Sequence, residues 1–345
     1  MKVLTKARVA EGSASTYTTG VMAYARFCLR YQHFPLFPAS DKTLALFVAR
    51  QSYTCSKATL VNYMSGVADY QRNVLGMEFQ TTMSRPLVNA ALKGLRRTQD
   101  KPSKKKMAIT AAMLKKVQAV VADESFAKAA GHKPSAIRCV VAAILVGFFG
   151  MLRKANIASK TARTFDPKRC LLCYDIQQSE QETLMLTCRF SKTIKGSERV
   201  HKLPLVYTGE ALCPVSAYVA HVVEFPSTGG DEQQPAFMYD NRKGKRTALS
   251  HKFLVGTIKE LLEFVGEEPY KFAGHSLRIG GATLAFAIGA PATNIMLLGD
   301  WVSKAVFGYN QPDTDFLQSL PRRIDGRSYL LRIGKQLGVL LAICS

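Results

Sequence analysis

The segment Gly274–Ala282 reads GHSLRIGGA and combines a histidine, an arginine and two adjacent glycines. On a helix, His275 and Arg278 lie one turn apart and face the same side. Gly280 and Gly281 follow them and leave room for a backbone or a ligand to approach closely. A histidine and an arginine at this spacing also occur by chance on ordinary helix surfaces, so the pair needs support from elsewhere in the chain.

Three further segments carry side chains of a matching kind. FFGMLRKANI places Arg153 after an apolar helix, where an arginine facing solvent is the ordinary explanation. SKTIKG carries Lys192 and Lys195 at the tip of a predicted hairpin, where lysines usually serve solubility. GDWVSKAVFGYN contains the only tryptophan of the chain, Trp301, eight residues before Tyr309. A tryptophan and a tyrosine so spaced are also typical of a buried core.

In combination, these side chain types suit an attack on a phosphodiester without a metal ion. Two guanidiniums hold a phosphate and the charge of its transition state through planar, bidentate donors. A tyrosine phenol can attack the phosphorus to form a covalent link. A lysine can protonate the leaving sugar oxygen, and a histidine can take the phenol proton or bind the phosphate.

The order Arg, Lys, His-x-x-Arg, Trp and Tyr resembles that of the tyrosine recombinases, the phage integrase-like enzymes of DNA strand transfer. GHSLRIGGA is similar to the family's second-arginine motif, and LLGDWVSKAVFGY resembles its nucleophile motif. The tryptophan and the hairpin SKT resemble the recombinases of eukaryotic mobile elements more than bacterial integrases.

The resemblance implies a site without cofactor or metal, built from six side chains. It implies that Arg153 and Arg278 clamp the phosphate and that Lys192 is the general acid. It makes His275 and Trp301 the supporting pair, and Tyr309 the nucleophile that forms a 3′-phosphotyrosyl bond. The family usually has an acidic residue three after the first arginine, where this chain has Asn156. We therefore expect Arg153 to lack a charged partner. Lys195 is the alternative general acid.

The charge of the chain predicts a polyanionic partner. Its 47 lysines and arginines against 25 acidic residues give a net charge of +22, so double-stranded DNA is the expected ligand. An anionic membrane surface would also suit this charge, but no apolar run approaches the ~18–20 residues that span a bilayer. The first fifteen residues lack the apolar core of a secretion signal, and the eight cysteines are scattered. These features predict an intracellular protein, nuclear if the host is eukaryotic, with KPSKKK as an import signal, and otherwise cytoplasmic.

The chain is expected to be mostly α with a small β component. Residues 1–100 predict a helical core-binding domain, which the resemblance makes SAM-like, with Asp41 and Ser56 as helix starts. Residues 101–110 are a basic linker. Residues 111–345 predict a catalytic α+β domain with a small antiparallel sheet.

Within the catalytic domain, several segments have recognisable patterns. SAIRCVVAAILVGFFGML predicts a helix buried nearly all round. ETLMLTCRFSKTIKGSERVHKLPLV predicts two strands around a turn, and Ser250 is a candidate N-cap of a further helix. PSTGGDEQQPAF predicts a loop. The C-terminal RSYLLRIGKQLGVLLAICS predicts an apolar helix that packs on its own domain or, as the resemblance implies, docks on a neighbouring protomer of a homo-tetramer.

Other chemistries have weaker signals. Cys170 and Cys173 in CLLC have the spacing of zinc ligands. Cys188 and Cys213 lie elsewhere in the domain and do not form the second close pair that a zinc site usually has. No phosphate-binding G-x-x-x-x-G-K-[ST] loop occurs. Three carboxylates without a distinctive pattern leave a two-metal nuclease as a remote alternative: Asp166, Asp175 and Asp240.

The function expected from this sequence is site-specific DNA recombination or integration through a Holliday junction. One alternative is a DNA-binding protein derived from a recombinase, which Asn156 favours. The other is a type IB topoisomerase, whose nucleophile follows a Ser-Lys-x-x-Tyr pattern, whereas five residues separate Ser303 from Tyr309 here.

Overall fold

The structure is a computed structural model in which the chain divides into two units, residues 1–104 and 105–345. It describes residues 11–80, 84–98, 105–179, 182–191, 194, 199–226 and 233–311. The predicted C-terminal apolar helix and the general acid candidates Lys192 and Lys195 lie outside the described residues. None of the helices in these ranges combines the length and the hydropathy of a bilayer-spanning segment.

The described part of the first unit contains four helices: α1 (Glu11–Tyr31), α2 (Asp41–Gln51), α3 (Lys57–Asn73) and α4 (Pro86–Thr98). The apolar positions spaced by three or four in α1 face inward, so that Tyr24, Phe27 and Cys28 are buried. The rings of Tyr24 and Phe47 meet edge to face at 5.5 Å. An amphipathic helical pattern thus produces one small aromatic core.

The helix starts in this unit are set by short polar side chains. Ser56 is the N-cap of α3, as the sequence predicts, and its hydroxyl accepts from the Thr59 N–H. For α2 the cap is Ser40, one residue before the predicted Asp41. The Asp41 carboxylate instead accepts from the backbone N–H groups of Leu87 and Val88, at 3.0 and 3.2 Å. It therefore caps α4, because α2 and α4 pack together.

The second unit is built around one apolar helix. Its helices are α5 (Ala111–Ala122), α6 (Ser125–Ala130), α7 (Pro134–Phe149), α8 (Lys154–Ile157), α9 (Pro214–Glu224), α10 (His251–Phe264), α11 (Ser276–Ala287) and α12 (Ala292–Leu298). Almost all of α7 is buried, as its long apolar run predicts; Arg138 interrupts that run and bonds to Glu224 at the surface. Ser250 is the N-cap of α10, and this prediction is also confirmed.

A small antiparallel sheet accompanies the helices, as expected. It has the order β1 (Ile176–Ser179), β2 (Thr183–Cys188) and β3 (His201–Val206), with Cys188 opposite His201. The predicted hairpin is therefore β2–β3, and β1 adds a third strand. Two further short strands, β4 (Met238–Asp240) and β5 (Arg246–Ala248), pair with each other and were not predicted.

Part of the segment assigned to the linker belongs to the second unit. The N–H of Met107 donates to Lys271 O, and that of Ile109 donates to Ser276 O. Ile109 is buried, and Thr110 caps α5. Two apolar residues, Ala108 and Ile109, thus anchor residues 105–110 although the surrounding basic run has the composition of a linker.

Candidate active site

Arg278 lies at the centre of the candidate site. It belongs to the first turn of α11 and is only 2% exposed. One terminal nitrogen donates to Met151 O and the other to Gly299 O at 2.5 Å. These carbonyls belong to the segments that carry Arg153 and Trp301. The buried guanidinium therefore ties three distant parts of the chain to one point.

The glycines after Arg278 serve close backbone approach, as predicted. A Cβ on Gly280 would lie 2.0 Å from Ile109 O, and one on Gly281 would lie 2.2 Å from Phe148 O. Both neighbours belong to the chain itself, so the glycines bring α11 against α7 and the 105–110 segment. This packing fixes the helix that carries Arg278.

Trp301 and Tyr309 pack over the guanidinium. The centre of the Trp301 ring is 3.7 Å from the Arg278 Cζ, which is a cation–π contact, and the Tyr309 ring centre is 5.6 Å away. The two rings meet each other nearly edge to face at 5.1 Å. Trp301 is buried with Met151, Ala282 and other apolar side chains. Trp301 therefore belongs to an apolar cluster and also contacts Arg278.

The turn that carries Tyr309 is a 3-10 segment, Lys304–Tyr309, held against α11. The hydroxyl of Thr283 donates to Tyr309 O at 3.0 Å and accepts from the Gln311 N–H at 3.0 Å. The Gln311 side chain in turn donates to Lys106 O and accepts from the Ala108 N–H. These bonds set the position of the phenol relative to Arg278.

Arg153 has a charged neighbour, contrary to the expectation drawn from Asn156. Its Nη1 lies 3.9 Å from a carboxylate oxygen of Asp300, a residue next to Trp301. Asn156 is buried and donates its amide to Phe190 O at 2.6 Å, which gives it a structural contact. The acidic partner of Arg153 thus comes from the segment directly before Trp301 and not from the position three after Arg153.

Asp300 also binds two residues of the hairpin that carries the lysine candidates. Its carboxylate accepts from the Ser191 hydroxyl at 2.5 Å and from Arg199 at 2.6 Å. Ser191 immediately precedes Lys192 in the sequence, and Arg199 stands two residues before the start of β3. No sequence motif marks Ser191 or Arg199, and the only signal for Asp300 is its position inside the nucleophile motif.

His201 is a further site residue that the sequence analysis missed. It begins β3, and its Nε2 lies 3.0 Å from Leu298 O. With Arg153, Arg278 and Asp300 it lines a small cavity beside Gly299. No motif marks this histidine, because it sits in a strand that reads as ordinary alternation.

His275 is an exposed residue directly before α11, three residues before Arg278. Desolvation of its ring, followed by the positive charges of Arg278, Lys154 and Arg153, lowers the pKa of His275 below its ordinary value. The imidazole is therefore neutral at neutral pH and has a nitrogen free of a proton. A proton acceptor is thus available near the clamp arginines.

The electrostatics of Arg278 reflect its crowded position. Burial is the main cause that lowers the pKa of Arg278 to about 10, and the positive charge of Arg153 acts in the same direction. Tyr309 and the Asp300 carboxylate raise it. The guanidinium stays charged at neutral pH, within reach of another guanidinium, a phenol and a carboxylate.

Four of the six predicted site residues are thus in mutual contact or close range: Arg153, Arg278, Trp301 and Tyr309. His275 lies within electrostatic range of both arginines, and Lys192 is outside the described residues. Arg278 is covered, however, and both of its terminal nitrogens bind main-chain carbonyls. The guanidinium has five N–H bonds, two of which donate to these carbonyls, and its Nε–H is buried without a hydrogen-bond partner among the described residues. A phosphate can bind the remaining donors if the side chains that cover Arg278, such as the indole, move aside.

The other motifs have structural roles. Arg189 and the Leu172 N–H bind Asp175, Arg169 binds Asp166, and Arg246 lies 3.8 Å from Asp240. In CLLC, the Cys170 thiol donates to Ala155 O and the Cys173 thiol to Pro235 O. Within the described ranges, no three His, Cys, Asp or Glu side chains form a group that could hold a metal ion.

Comparisons of sequence and of structure give different results. No protein-family profile matches the chain, and no curated protein matches it in sequence. Solved structures do match. The XerH site-specific recombinase in a post-cleavage complex with its palindromic difH substrate has a TM-score of 0.57 at 14% identity, over 89% of this chain and 78% of that one.

Two further structures match at a similar level. The integrase of transposon Tn1549, bound to transposon right-end DNA, has a TM-score of 0.52 at 13% identity, over 89% of this chain and 99% of that one. A lambda integrase tetramer on a Holliday junction has 0.53 at 14%, over 90% and 74%. The chain therefore has the mostly helical tyrosine recombinase fold.

Proposed function

We propose that the protein is a site-specific DNA recombinase or integrase that cleaves and rejoins DNA through a 3′-phosphotyrosyl bond at Tyr309. The observation that carries this proposal is the contact of Arg278 with Tyr309 and Trp301, next to Arg153, in a recombinase fold. The family membership, and the closer likeness to recombinases of eukaryotic mobile elements, belong to the same proposal.

In the cleavage step, the Tyr309 oxygen attacks a backbone phosphorus while the bond from phosphorus to the 5′ oxygen breaks. Arg153 and Arg278 stabilise the added negative charge on the non-bridging oxygens. His275, neutral because of its lowered pKa, accepts the phenol proton. Lys192 donates a proton to the leaving 5′ oxygen. Attack of a second 5′ hydroxyl reverses these steps and joins the new strand.

Formation of the DNA complex is expected to uncover Arg278. The phosphate would accept from N–H groups of Arg278 that the two main-chain carbonyls leave unused, and Trp301 would shift from its position over the guanidinium. Because the free site is closed in this way, cleavage would require this rearrangement of Trp301 after the DNA binds.

The net charge of +22 supports double-stranded DNA as the partner, and binding should weaken steeply with salt. Assembly of a homo-tetramer through the C-terminal segment and strand exchange through a Holliday junction complete the proposal. The protein would act in the nucleus of a eukaryotic host, or otherwise in the cytoplasm.

The test is covalent trapping on nicked suicide duplexes that tile the DNA flanking the coding sequence. We expect a protein–DNA adduct that resists denaturant, disappears in Tyr309→Phe and persists in Tyr53→Phe. Tyr53 is an exposed tyrosine of the first unit, so the second variant is a matched control. Salt-sensitive binding without an adduct on any duplex would refute cleavage and favour the non-cleaving DNA-binding protein. Efficient supercoil relaxation without synapsis would favour the topoisomerase.

A further inference from the structure

Asp300 is a buried carboxylate with an unusual set of neighbours. Its side chain is 5% exposed and lies beside Arg153, Arg199 and the Ser191 hydroxyl. A buried carboxylate without such partners would be costly, because desolvation disfavours its charged form. The two arginines supply the compensating charge, and Asp300 accordingly anchors both of them.

The same carboxylate offsets repulsion between the arginines of the site. The charge of Arg153 lowers the pKa of Arg278, whereas the charge of Asp300 raises it. Both guanidiniums line one small cavity together with Asp300, so the carboxylate offsets part of their mutual repulsion. Asp300 is the residue directly before Trp301.

The hydroxyl bond of Ser191 extends this function to the hairpin. Ser191 binds Asp300 at 2.5 Å and also accepts from the Ile194 N–H at 3.1 Å. Ser191 therefore links Asp300 to the backbone at Ile194. One carboxylate is thus shared by the clamp arginine, the hairpin and the nucleophile segment.

We propose that Asp300 is a positioning residue for strand cleavage, which holds Arg153 in place for the phosphate and sets the hairpin beside it. This inference rests on the proposed function and extends it to a residue outside the six assigned above. Asp300 itself does not touch the DNA. Its loss should slow cleavage through misplaced partners and leave binding to the duplex nearly unchanged.

The test is Asp300→Asn on the suicide duplex that gives the wild-type adduct. Asparagine keeps the shape and one acceptor oxygen but removes the charge. We expect the rate of adduct formation to fall about 10- to 100-fold, since a small misplacement of a binding group has effects of this size. The Kd for the duplex should change less than about threefold. Asp166→Asn, which removes a surface carboxylate paired with Arg169, should leave both quantities unchanged.

A double variant separates positioning from a general loss of structure. In an Arg153→Gln background, Asp300→Asn should slow cleavage by a clearly smaller factor than in the wild-type background, because one of the partners that it positions is already gone while Ser191 and Arg199 remain. An undiminished second effect would overturn the proposal. So would a wild-type rate in Asp300→Asn, or a Kd that rises as much as the rate falls. If Asp300→Asn does not fold, Asp300→Glu carries the same test, with slower cleavage and unchanged Kd expected.

The inference and the proposed function fail separately. If the wild-type protein forms no adduct, the proposed function is wrong. Urea unfolding of Arg153→Gln, Asp300→Asn and the double variant then tests whether Asp300 holds Arg153. Each single substitution raises the equilibrium constant for unfolding by some factor. If Asp300 holds Arg153, the factor for the double variant should be at least about threefold smaller than the product of the two single factors. Simple multiplication of the two effects would overturn the inference.

Discussion

Gly299→Ala tests the packing that closes the site. A Cβ at this position would lie 1.8 Å from one carbon of the Trp301 ring and 2.3 and 2.7 Å from two others. Ordinary contacts begin near 3.4 Å, so the ring has to move outward by about 1.5 Å or more. The backbone itself tolerates alanine, since φ is −92°. The whole effect therefore falls on the indole and on Arg278 beneath it.

The expected cost is about 1–3 kcal/mol of unfolding free energy, the usual range for overpacking a filled site. Part of this cost is the weakened cation–π contact between Trp301 and Arg278, whose 3.7 Å separation would lengthen. Because Trp301 is the only tryptophan, its emission reports this position directly. We expect a shift of the emission maximum to longer wavelength and easier quenching by acrylamide.

The assay is urea unfolding followed by tryptophan emission, with Gly256→Ala as the matched control. Gly256 lies in α10, and a Cβ added there would meet no atom within 4 Å. Alanine at this position should therefore be neutral or stabilise the helix by up to ~1 kcal/mol. An unshifted emission spectrum and an unfolding free energy within about 0.5 kcal/mol of wild type in Gly299→Ala would refute the reasoning.

Two further predictions concern other parts of the chain. Burial among Tyr218, Phe225 and Phe237 lowers the pKa of His221 from 6.5 to about 4. The unfolded state therefore binds the proton first, and the free energy of unfolding falls as pH drops from about 6.5 towards 4. His221→Phe should reduce this pH dependence in urea titrations; an unchanged slope would contradict it. Asp41→Ala should destabilise the first unit by about 1–2 kcal/mol, because two N–H groups of α4 lose their acceptor. Asp41→Asn, which keeps an acceptor, should have a smaller effect in circular dichroism melts, and equal effects would argue against capping.

Local patterns in the sequence predict much of this fold. The apolar run of α7 identifies the central helix, the serines at 56 and 250 identify two helix starts, and alternation identifies β2 and β3. These features depend on neighbouring residues only. Strands β4 and β5 are three residues long, which is too short for periodicity to mark them.

Features that depend on tertiary contacts could not be predicted. Asp41 resembles the start of its own helix, yet it caps α4, because the capping geometry is decided by how α2 and α4 pack. Asn156 suggests an unpartnered Arg153, whereas the partner is Asp300 from a distant segment. The order of Arg153, His275, Arg278, Trp301 and Tyr309 could be read from the sequence, but the closed state of Arg278 could not.

The most direct test of the account is to find the atom that holds the DNA. Trypsin and nuclease digestion of the trapped adduct should leave a nucleotide on the peptide Ala305–Arg322, whose only tyrosine is Tyr309. We predict that fragmentation in the mass spectrometer places the nucleotide on Tyr309. A nucleotide on Ser303, on another tyrosine, or on any residue outside this peptide would contradict the account.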